Sequence, residues 1–166
     1  MSQTEQLLNY IIQNLSGKIT KTQLIKLVYL MDLESVRFTG TQISNIKWKF
    51  HHYGPYDENL DGRLKKLEKN STIVVQQKSK KDHPDDIYFL YQYTGKKIKY
   101  EFEPMKKQII DTILSQYGSF TLDALLKYVY ETEPMRKAKK GQYLNLKSLL
   151  NSESPESFKT QEKKEK

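Results

Sequence analysis

The chain has 166 residues, with 28 Lys and Arg against 20 Asp and Glu and a formal net charge of +8. It contains no cysteine, which excludes disulfide scaffolds, cysteine nucleophiles and thiolate zinc sites. No apolar run approaches the roughly 20 residues of a membrane span, and Ser2-Gln3-Thr4-Glu5 lacks the basic-then-apolar order of a signal peptide, so a cytoplasmic protein is expected.

The first helical pattern covers about residues 4–15, with Leu7, Leu8, Ile11, Ile12 and Leu15 on one stripe and capping-box spacing from Ser2 to Glu5. A second runs from about 21 to 38, with Thr20 and Gln23 as capping box and Gly40 as stop. Its apolar face is wide (Leu24, Leu27, Val28, Met31 and Val36, flanked by Ile25, Leu30 and Leu33), which predicts a central helix covered on more than one side.

A strand follows, in which Ile46, Trp48 and Phe50 alternate with Lys47, Lys49 and His51. Gly54-Pro55 reads as a turn leading into a helix over about 57–69, striped by Leu60, Leu64 and Leu67. Residues 72–78 and 86–94, rich in β-branched and aromatic side chains, read as a hairpin with a polar connector at 79–85. Two late helices are expected, 105–117 ending at Gly118 and a second capped by Thr121. Residues 151–166 carry four glutamates and four lysines with one aromatic, the composition of a disordered tail. These elements predict one α+β, mostly α-helical domain over 1–150, compact, with a small antiparallel sheet or hairpin in the middle of the chain.

Catalytic and metal chemistry find little footing. His51-His52 is the most metal-like feature, with His83 distant, but neighbours in a strand face opposite ways. Asp32 with Glu34, and Asp85-Asp86, lack the spacing of a paired acid and base and read as structural. No GxSxG, P-loop or GxGxxG occurs. No enzyme activity, cofactor or metal is therefore expected.

The positive charge keeps nucleic acid in play. The first helix pair places Lys21, Gln23 and Lys26 near its second N-terminus, and the hairpin, carrying Lys78, Lys80 and Lys81, has the layout of a wing. The tail is neutral, so the excess charge sits on the body, notably at 63–81, 96–99 and 136–140. Tyr53 and Tyr56 bracket Gly54-Pro55 close to Trp48; tyrosine and tryptophan are enriched at protein contacts, and they also close cores.

Three segments together resemble the SocA-like, or Panacea, antitoxin family. They are Ile19–Asp32, Trp48–Tyr56 with its aromatic strand running into Tyr-Gly-Pro, and Leu125–Ala138 with an acidic-Pro turn. Met135 stands where many members have tryptophan, and Tyr56-Asp57 where many have a valine-rich step. The resemblance implies a non-enzymatic, phage-associated antitoxin that neutralises a cognate toxin by binding, in one member as an adaptor to the ClpXP protease. On that basis Trp48, Tyr53, Gly54, Pro55, Tyr56, Tyr130, Pro134 and Met135 are candidate partner-binding residues. The partner surface is left open between the Gly-Pro turn, the hairpin and the basic stretch 136–140.

Overall fold

The computed structural model describes residues 1–152. The architecture is α+β and mostly helical, as expected. Helix α2 (Lys21–Thr39) is its axis: side chains from Leu24 to Val36 are buried almost without interruption. Thr20 Oγ1 accepts from the Gln23 amide while the Gln23 side chain accepts from the Thr20 amide, a complete capping box. Gly40 ends the helix at a φ of 84°, a left-handed conformation that glycine takes at no steric cost.

Helix α1 (Gln3–Asn14) packs against α2, α3 (Leu60–Lys69) and the hairpin and buries Leu7, Leu8 and Ile11. Its capping box is only half made. Ser2 Oγ accepts from the Glu5 amide at 3.1 Å, but the Glu5 carboxylate turns away to pair with Lys66 at 3.1 Å. Lys66 belongs to α3, which starts three residues later than the charge order suggests. Asp57 instead precedes that helix, accepting from the Asn59 amide and from Arg63 Nε at 2.9 Å.

Strand β1 (Lys49–His51) pairs antiparallel with β2 (Gly54–Tyr56). The turn falls earlier than the sequence suggests: His52 and Tyr53 make it, and Gly54-Pro55 is strand. On its other side β1 receives the late segment 141–144, through Phe50 N–H to the Gln142 carbonyl and Leu144 N–H to the Trp48 carbonyl, both 2.8 Å. Both backbone groups of Phe50 thus face that segment, since its carbonyl accepts from the Gly141 amide. Pro55, opposite Phe50, therefore turns its nitrogen away from β1, where a missing N–H costs nothing.

Strands β3 (Ile73–Lys80) and β4 (His83–Tyr93) form the expected hairpin, and it extends well into the predicted connector. Its root is buried through Ile73 and Tyr91, and the Tyr91 amide and carbonyl bond Ile19 and Gly17. Helices α4 (Pro104–Tyr117) and α5 (Leu122–Tyr130) pack on α2, followed by α6 (Glu133–Lys137), a 3-10 turn at Leu146–Ser148 and α7 (Leu149–Ser152). Apart from its first two residues, which complete α7, the expected tail at 151–166 lies outside the described residues. No helix among the described residues is long and apolar enough to cross a membrane.

The loop between α2 and β1 is held by one fully buried carboxylate. Asp32 Oδ1 accepts from the Ile43 and Ser44 amides at 2.9 Å. Oδ2 accepts from Trp48 Nε1 at 2.9 Å, Gln42 Nε2 at 3.2 Å and the Ser44 hydroxyl. Burial pushes this carboxyl up to about 6, opposed by the donors around it. Asp32→Ala orphans those donors in the core and should lower the free energy of unfolding by roughly 3–5 kcal/mol. Urea denaturation measures this, and a loss below about 1 kcal/mol would contradict the role given to Asp32.

Candidate partner-binding surface

The three segments that carry the family resemblance meet on one helix face. Lys26, Tyr29 and Asp32 stand at successive three-residue steps of α2, and each reaches a different part of the chain. Lys26 Nζ donates to the Pro55 carbonyl at 2.8 Å, the group that Pro55 turns away from β1. The Tyr29 hydroxyl meets Thr132 Oγ1 at 2.7 Å, and its ring packs edge-on against Trp48. Asp32 binds the Trp48 indole at 2.9 Å.

Most of the candidate residues are consequently internal. Trp48, Gly54, Pro55, Pro134 and Met135 are buried and offer no surface to a partner in this structure. The departure at Met135 is thus a core difference. Gly54 adopts a φ of 98°, unfavourable for any residue with a Cβ, beside Lys26 and Tyr130. Tyr56 is half-buried and Tyr130 is 37% exposed, its hydroxyl 3.4 Å from the His52 carbonyl. Tyr53, at the turn, is 69% exposed.

The outward face of the small sheet has its own composition. Strand alternation sends Trp48 and Phe50 inward and Lys47, Lys49 and His51 outward, joined by Tyr56 and Tyr143 opposite Lys49. His51 stacks on Tyr56 with ring centres 4.9 Å apart, and Lys49 Nζ sits 5.6 Å from the centre of the Tyr143 ring. Lys49 also pairs with Glu58 at 2.8 Å. Sequence reasoning missed Tyr143: 94 positions separate it from Lys49, and only the pairing of 141–144 with β1 brings them together.

The nucleic-acid candidates fall elsewhere. Lys78, Lys80 and Lys81 are exposed at the far end of the β3–β4 hairpin, among Asp82, Asp85 and Asp86, with Lys80 and Asp86 3.5 Å apart. Three lysines against three aspartates leave that tip without net charge. Lys21 pairs with Asp61 at 2.9 Å, Gln23 is spent on the capping box and Lys26 is buried, so the start of α2 presents no reading head. His52 lies in the turn, outside the strand alternation, and its ring meets His51 edge-on at 4.7 Å. Among the described residues no three His, Asp or Glu side chains are placed to hold a metal ion.

The profile of the antitoxin SocA-like, Panacea domain family matches residues 24–134, and the chain belongs to that family. Its class is therefore antitoxin-like. No curated protein and no solved structure matches the chain.

Burial pulls the Lys26 ammonium down to about 8 from an ordinary 10.5. Between those values the folded chain has released a proton that unfolding takes back up, so this group makes stability rise with pH from about 8 toward 10.5. The tyrosines act the other way, because burial holds Tyr91 up at about 12 and Tyr29 higher still. Lys26→Met leaves the tyrosine contribution and removes the lysine's. Urea midpoints at pH 7.5 and pH 9.5, compared between the two proteins, should therefore show the variant losing stability relative to wild type over that interval; parallel curves would refute the assignment.

Proposed function

We propose that this chain is an antitoxin-like binding module that neutralises a cognate toxin by direct contact and not by catalysis. The observation that carries the reading is membership of the antitoxin SocA-like, Panacea domain family over residues 24–134. The geometry supports it in a specific way. Buried side chains of the family segments tie α2 to the sheet and to the start of α6, which leaves the outward side chains free to differ between partners. Delivery of the captured toxin to a ClpXP-type protease is the adaptor form of the same reading.

The product of the adjacent gene is the partner to test. Expressed alone it should arrest growth; coexpressed with this chain it should not, and the two proteins should copurify. A neighbour that is harmless alone, or that stays toxic and unbound beside this chain, removes the proposal. The adaptor form further requires the toxin's level to fall upon coexpression and to recover in a host lacking the protease.

A further inference from the structure

We propose that the outward face of the small sheet, with the cleft at its end, seats an acidic segment of the partner protein. The inference rests on the toxin-neutralising reading and adds to it the face and the chemistry. Lys47, Lys49, His51, Tyr56 and Tyr143 form the face, and Tyr143 is 61% exposed. Beyond Lys47 the chain closes a cleft of about 470 Å³ between Lys47, Tyr143, Asn145 and Lys147, with Ile46, Trp48 and Leu146 also lining it.

Charge decides what fits there. Neither Lys47 nor Lys147 has a carboxylate partner among the described residues, and Lys139 and Lys140, just ahead of the strand segment 141–144, have none either. The three carboxylates of stretches 47–58 and 133–147 are already committed: Asp57 to Arg63, Glu58 to Lys49 and Glu133 to Lys137. Within these two stretches the unpaired charge is therefore positive. Tyrosine hydroxyls beside lysine ammoniums supply both the hydrogen bonds and the Coulomb attraction that carboxylates need. An aspartate- or glutamate-rich segment suits the face better than single-stranded nucleic acid. Base stacking needs open ring faces, and one face of each ring is already taken, by His51 on Tyr56 and by Lys49 on Tyr143.

The test measures the affinity of full-length protein for the purified product of the adjacent gene, by calorimetry at two salt concentrations. Lys47→Glu with Lys147→Glu should weaken binding about 30-fold and reduce its salt dependence; Tyr143→Ala should also weaken it. These positions are exposed, so thermal denaturation midpoints should match the wild type. Lys80→Glu with Lys81→Glu, at the neutral hairpin tip, should stay within about threefold. Unchanged affinity in the double reversal overturns the inference and leaves the proposed function standing. Failure of the wild-type chain to bind the neighbour's product removes both. Two further results overturn the inference and reassign the face. Competition by a single-stranded oligonucleotide points to nucleic acid, and a wild-type dimer that the double reversal dissolves, seen by light scattering, points to a second copy.

Discussion

Asp32 is the constraint on which the outward face of the small sheet depends. A carboxylate taken wholly out of water costs several kcal/mol unless its oxygens are satisfied. Here they are satisfied only when residues 42–48 fold back over α2 in one arrangement, because the donors come from Gln42, Ile43, Ser44 and Trp48. Once the Trp48 indole is drawn inward, strand alternation obliges Lys47 and Lys49 to point out. One buried charge thus sets the register of β1, and with it which side chains the sheet shows to solvent.

Lys26 and Tyr29 extend the same logic along the helix. Pro55 has no N–H to give a neighbouring strand, and its carbonyl, left outside the ladder, accepts from a lysine buried on α2. The Tyr29–Thr132 bond fixes the start of α6 beside the end of α5. Two of the three polar side chains carry ionisable groups whose ordinary values are moved toward neutrality by burial, Asp32 upward and Lys26 downward. The body is stabilised by specific satisfaction of these groups as well as by area, and such bonds select one packing over its near alternatives.

This explains which features were legible in the sequence. Helices α1 and α2 were readable because capping chemistry and apolar period lie within a few residues of each other, and the β3–β4 hairpin because its strands are adjacent in sequence. The Gly54-Pro55 turn was misplaced for a physical reason. Glycine and proline are strong local turn signals, but here one supplies a positive φ inside a strand and the other sits where no N–H is wanted. The aromatic residues of the Trp48–Tyr56 segment looked alike in sequence, yet Trp48 closes the core and Tyr53 stands in solvent. Burial depends on which elements arrive from elsewhere in the chain.

By itself, the sequence determined the order of elements, the central place of α2, the lack of any cysteine chemistry and, through three segments, the family. Each of these depends on residue type and short-range spacing. The tertiary structure decided that Lys26, Tyr29 and Asp32 are internal ties to the Trp48–Tyr56 and Leu125–Ala138 segments, and that Tyr143 joins Lys49 on an aromatic, lysine-bearing face. Those facts follow from contacts between residues tens of positions apart, and a surface assembled across such distances has no periodicity along the chain to announce it.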